Sequence, residues 1–205
     1  PIRGHDQVRV ESELTFEKDR CKKALSLAKG GAKVALISSG DSGIYGMAGL
    51  ALEFWLAESI KSRPLLQFHP GISAIQMAAA KLGAPLMHDF CSISLSDLLT
   101  PWEKIEQRIK SAAKGDFVIA IFNPKSAKRY WQLKKTVDLL LEFHRPTTPV
   151  GLARQLGREE ESIEIYNLES LPLDKVDMLS ILIIGNSQSI VKDNKFLTPR
   201  GYFNN

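Results

Sequence analysis

A chain of 205 residues, 44% of them hydrophobic, can bury a sizeable core, enough for one domain or two small lobes. Its 27 basic and 23 acidic residues leave a formal net charge of +4. That suits an anionic ligand, but no lysine or arginine run of the kind that tracks a nucleic-acid backbone is present, so no nucleic-acid partner is expected.

The longest apolar runs, such as VIAIF and ILII, have the length of strands, so no membrane span is expected. No secretory leader is read at the start. Cys21 and Cys91 form no CxxC pair and read as reduced, packed thiols of a cytoplasmic protein. The four histidines are scattered without zinc-site spacing, and no metal site is expected.

In chain order, a helix is expected from about Thr15 to Lys29, with Thr15 a poor cap and Gly30-Gly31 ending it. KVALISS follows, apolar on both faces as in a buried parallel strand. A helix over about 45–59 turns Met47, Leu50, Ala51, Phe54 and Trp55 inward. PLLQFHP is strand-like, and GISAIQMAAAKLG is a helix of small residues. FCSISLSDLL holds a strand. PWEKIEQRIKSAAKG is a helix with Pro101 at its start and Gly115 at its end.

DFVIAIFNP is the next buried strand, and AKRYWQLKKTVDLLLEFH an amphipathic helix. TPVGLARQLG is a strand, ESIEIYNLESL an edge strand, MLSILIIGNSQ the last buried strand, and KFLTPRGYFNN a loop-like tail. Strands alternating with helices indicate an α/β fold with mainly parallel sheet in the first half and mixed sheet in the second. A boundary falls in the loop-like GAPLMHDF, giving lobes 1–88 and 89–205.

Three strand ends carry polar groups. In ISSGDSG, Gly40 and Gly43 permit close approach or positive φ. Asp41 there is either a helix cap or an acceptor for a ligand. The stretch is neither GxGxxG nor a P-loop. In HPGISA, Ser73 caps a helix or meets a ligand. In FNPKS, Asn123 is a turn residue or a ligand contact. His88, Asp89, Ser94, Ser96 and Asp97 are dense enough for acid–base chemistry, or make a solvated hinge. Lys125, Lys128, Arg129, Arg154, Arg158 and Arg200 read mostly as surface charges that could meet a polycarboxylate, and Trp102 and Trp131 as core.

ALISSGDSGIYGMAGL, PGISA, LGAPLMHDFCSISLSDLLTPW, FVIAIFNPKS, TPVGLARQLGRE, DMLSILIIGNSQ and TPRGY together resemble the precorrin-3B C17-methyltransferases of cobalamin biosynthesis, within the tetrapyrrole methylase superfamily. LMHDFCSISLSDLLTPW is the most specific part. The resemblance implies a two-lobed tetrapyrrole methylase fold with S-adenosyl-L-methionine between the lobes, a tetrapyrrole substrate (precorrin-3B or cobalt-precorrin-3) and a homodimer.

Carried over residue by residue, it implies cofactor contacts at Ser39, Gly40, Asp41, Ile44, Ser73, Ala74, Phe122 and Asn123, and by strand-end position at Ala153 and Ser180. Proton movement during ring contraction falls to His88, Asp89, Ser94, Ser96 and Asp97. It also implies a strand and a GxGPG-type loop before the region matching residue 8. Without these, exposed sheet edges and poor activity are expected. The rival readings are a methylase acting at another ring carbon and a truncated, non-catalytic tetrapyrrole-binding copy.

Overall fold

Residues 7–11, 16–126 and 129–202 are described by a computed structural model. The cap expected at Thr15, the charge at Lys128 and the last three residues of the tail lie outside them. The chain divides into two units, Pro1–Ser73 and Ala74–Asn205. The division precedes the 88/89 lobe boundary read from sequence, because the helix after Ser73 packs on strands of the second unit.

In the first unit, helix α1 (Glu17–Lys29) carries Glu17 and Asp19 in its first turn and Lys29 in its last. That order complements the helix dipole. Gly30 ends it, its amide returning to Ser26 O at 3.1 Å. Helix α2 (Ala48–Ala57) packs against α1. Arg20 donates to Met47 Sδ at 3.2 Å, and Lys29 pairs with Glu58 at 2.6 Å. The inward face expected of α2 is only half-buried, apart from Met47 just before it. The parallel sheet expected here is not formed among the described residues: KVALISS and PLLQFHP form no strand and pair with none.

The second unit begins with α3 (Ala74–Leu82), β1 (Gly83–Ala84), β2 (Phe90–Ser94), α4 (Trp102–Lys114) and β3 (Val118–Phe122). It continues with α5 (Trp131–Leu141), β4 (Pro149–Arg154), β5 (Ser162–Asn167), β6 (Ser180–Ile184), β7 (Ile190–Lys192) and β8 (Lys195–Leu197). Five strands form one sheet in the order β2-β3-β6-β4-β5. Only β2 and β3 run parallel; the other pairings are antiparallel. The mixed sheet expected of the second half is thus present, with β5 at its edge.

Alternation along β3 shows why its run is apolar throughout. Ile119 and Ile121 face α4 and α5 in one core with Ile105, Ile109, Leu133 and Leu140. Val118 and Ala120 face the opposite side, in a core with Ile75, Ala78 and Leu82 of α3. A sheet covered on both faces needs apolar residues at both parities. Gly151 lets α3 come close, since a Cβ there would lie 2.4 Å from Leu82 Cδ1.

The tail is not all loop. β7 and β8 form a hairpin whose turn residues Asp193 and Asn194 both have positive φ, 50° and 56°, as a two-residue hairpin turn requires. β8 pairs with β1 in parallel. Among the described residues, no helix is long and apolar enough to cross a membrane.

Candidate active site

The first unit places its polar strand end in a clamped turn. Gly40, at φ 72°, takes the left-handed conformation that glycine adopts without strain. Asp41 then bonds two separate stretches of backbone: Oδ1 accepts from Gly43 N and Oδ2 from Gly71 N, both at 2.8 Å. The amides of Gly71 and then Gly43 hold the Asp41 carboxyl below the usual carboxylate range. Asp41 is not a helix cap, because α2 begins only at Ala48.

Each Asp41 oxygen retains lone-pair capacity, so a ligand hydroxyl or ammonium could still bond it. Gly71 is required for contact: a Cβ there would lie 2.2 Å from Gly40 O. Ser39 is exposed and Ile44 is 40% exposed, whereas Ser73 is buried at the end of the second stretch. Tyr45 sits at φ 54°, a conformation that strains a bulky side chain and marks a held turn. No sequence signal points to it.

In the second unit, register gathers the polar groups at one end of the sheet. Ser94 is paired with Phe122 at the carboxyl ends of β2 and β3. β6 runs antiparallel to β3, and its first residue, Ser180, is paired with Arg154 at the end of β4. Asn123, just past β3, holds φ 50°, which asparagine tolerates better than most residues. Its Nδ2 donates to Ser94 Oγ at 2.9 Å, and its carbonyl accepts from Arg129 at 2.9 Å. Ser96 N donates to Ser94 Oγ at 3.2 Å. Asp97 accepts from Gln132 Nε2 at 2.8 Å. Ser94, Ser96, Asp97, Phe122 and Asn123 therefore come together.

His88 and Asp89 do not join them. They precede β2, a strand length of about 16 Å away, and their closest side-chain approach to each other is 3.8 Å. Ala74 opens α3 and is half-buried. Ala153 is fully buried in the α3-side core. Ser180 Oγ is bound to Asp177 Oδ1 at 2.7 Å, and Asp177 in turn to Arg154 at 3.0 Å.

Arg129, read from sequence among the mostly surface charges that could meet a polycarboxylate, is buried, and its Nε has no partner among the described residues. Gln132 is buried as well, with Oε1 unpartnered among them. A polar residue on the apolar face of α5 was the available signal for Gln132. Trp131 was read as core but is 44% exposed, packed edge-on to Trp102 with ring centroids 4.9 Å apart.

Comparison with known proteins gives a consistent answer. The family model of tetrapyrrole (corrin/porphyrin) methylases matches residues 3–172. A Salmonella typhimurium protein described as "Probable cobalt-factor III C(17)-methyltransferase" is 47% identical over 199 residues, 97% of this chain and 81% of that one. The "Cobalt-factor III methyltransferase" of Priestia megaterium is 44% identical over 195 residues. This chain spans only 36% of the Priestia protein's length. Among solved structures, that of the methyltransferase CobJ superposes with a TM-score of 0.87 at 35% identity, covering 92% of this chain and 79% of that one.

Proposed function

The chain belongs to the tetrapyrrole methylases, and on that premise we propose that it is a cytoplasmic, homodimeric C17-methyltransferase of cobalamin biosynthesis. Its methyl donor is S-adenosyl-L-methionine, and its substrate is precorrin-3B or the corresponding cobalt-bearing tetrapyrrole. Methyl transfer is coupled to ring contraction. The observation that carries this reading is 47% identity to the Salmonella protein across 97% of the chain.

The donor methyl is already activated, so the protein's task is to position two carbons and exclude water. When bound, S-adenosyl-L-methionine would supply the activated methyl group, and the chain's residues would hold it and orient it toward the macrocycle. In the first unit, Ser39, Gly40, Asp41, Ile44 and Ser73 are assigned to the cofactor, with the Asp41 carboxylate the polar anchor. In the second, Ala74, Phe122, Asn123 and Ser180 are assigned to it, and Ala153 supports them from the core. Ser94, Ser96 and Asp97 are assigned to proton movement during contraction. His88 and Asp89, which precede β2, are assigned to proton movement as well.

Incubation with methyl-labelled cofactor and each candidate tetrapyrrole tests the proposal. The expected product carries one label and a contracted ring by mass spectrometry. Absence of label from every candidate, with the cofactor bound, would sink it. Label without contraction would assign the chain to a sister methylase.

A further inference from the structure

The first turn of α5 sets a buried amide against a carboxylate. Gln132 is 3% exposed, on a helix whose other buried residues are apolar apart from Thr136. Thr136 spends its hydroxyl on the Gln132 carbonyl, at 2.8 Å. The two ends of the Gln132 side chain fare differently. Nε2 donates to Asp97 Oδ2 at 2.8 Å, whereas Oε1 is buried with no partner among the described residues.

Asp97 dictates that orientation. An ionised carboxylate only accepts, so the donor end of the amide has to face it. The acceptor end is then left unmatched, which burial makes costly. A methionine or leucine at this place would pack without that cost. What Gln132 supplies in return is a fixed carboxylate. Asp97 lies half-buried on the segment after β2, and the next two residues, Leu98 and Leu99, are exposed. Among the described residues, no lysine or arginine pairs with Asp97. Its Oδ1 makes no hydrogen bond among them either. Gln132 therefore ties this carboxylate into the group formed by Ser94, Ser96 and Asn123, and the edge-on contact of Trp131 with Trp102 pins the far end of the same segment.

We propose that Gln132 is a positioning residue for proton movement: its amide fixes Oδ2 of Asp97 and leaves Oδ1 to exchange the proton. This role rests on the methyl-transfer reading and its assignment of Asp97.

The test is a double-mutant cycle on the full chain. Methyl-labelled S-adenosyl-L-methionine and the tetrapyrrole that wild type converts are used, and product is scored by mass for label and for contraction. Single-turnover rates with enzyme in excess keep residual contraction readable in weak variants. Gln132→Met holds the volume and removes the amide. Its kcat for contracted product should fall roughly tenfold or more, with KM within about twofold of wild type. In an Asp97→Ala background the same substitution should change the rate by less than about twofold, because no carboxylate is left to position. The melting temperature of Gln132→Met should equal or exceed that of wild type, since a buried unmatched acceptor is gone. Gln132→Glu keeps the shape but offers an acceptor where Asp97 needs a donor, and should lose as much activity as Gln132→Met.

Wild-type kcat in Gln132→Met or in Gln132→Glu would overturn this role. So would a loss of equal size with and without Asp97, or a melting temperature that falls in Gln132→Met, either of which would make Gln132 a packing residue. A wild-type chain that binds S-adenosylhomocysteine but labels no tetrapyrrole would instead end the methyl-transfer reading, and this role with it.

Discussion

The side-chain amide of Asn123 rests on the hydroxyl of Ser94, 2.9 Å away, at the one place where β2 and β3 end side by side. Arg129 holds the Asn123 carbonyl from the other direction at 2.9 Å, so the residue is fixed through both backbone and side chain. A neutral hydrogen bond of this kind contributes about 0.5–1.5 kcal/mol. Ser94→Ala should therefore lower kcat/KM for methyl transfer roughly three- to tenfold. Asn123→Gly keeps the positive φ and removes only the side chain, and should lose at least as much. Steady-state assay of the two variants checks this. Wild-type kinetics in both would remove this edge from the site.

Asp41 gives a second prediction, read in binding. Its carboxylate joins Gly43 to Gly71. Asp41→Ala should weaken S-adenosylhomocysteine roughly tenfold or more, by analogy with other charge-assisted bonds. Asp41→Asn retains one acceptor and should fall between. Calorimetric titration decides it, and affinity equal to wild type in the alanine variant would refute the anchor role.

Two glycines separate close approach from mere flexibility. A Cβ at Gly71 would meet Gly40 O at 2.2 Å, whereas at Gly49, on α2, nothing lies within 4 Å. Gly71→Ala should destabilise by about 1–3 kcal/mol, the usual cost of overpacking. Gly49→Ala should stabilise by about 0.5–1 kcal/mol through helix propensity. Chemical denaturation of both variants measures the difference. Equal effects of the two would mean that the turns do not touch as described.

The second unit was largely legible because its signals are local. VIAIF and ILII are strand-length apolar runs, and β3 and β6 fall on them. Gly115 closes α4 where expected. β7 and β8 escaped notice because their strands are only three residues long and each carries a lysine. The first unit shows the limit of pattern reading. KVALISS carries the apolar signature of a buried strand, but burial depends on a neighbour that residue order does not provide. The grouping of Asp41 with Gly71, or of Ser94 with Asn123, likewise follows from register across the fold. Arg129 is typed mostly as a surface charge by sequence, and only packing shows it buried.

His144 supplies a dependence on pH. It follows α5 and is buried, with Nε2 unpartnered among the described residues. Burial pushes its pKa below the ordinary histidine value, and the nearby Asp116 carboxylate opposes this only in part. A depressed histidine pKa means that the unfolded chain binds the proton more readily. Stability is then complete above the unfolded value, about 6.5, and is lost as pH falls from there toward the folded value. The melting temperature should drop by a few degrees between pH 7.5 and 5.5, at about 2–4 °C per kcal/mol for a chain of this size. His144→Gln removes the titrating group and should flatten that slope while lowering stability at pH 7.5 only modestly. Scanning calorimetry of both proteins at the two pH values is the check. A slope that survives the substitution would place the acid sensitivity elsewhere in the chain.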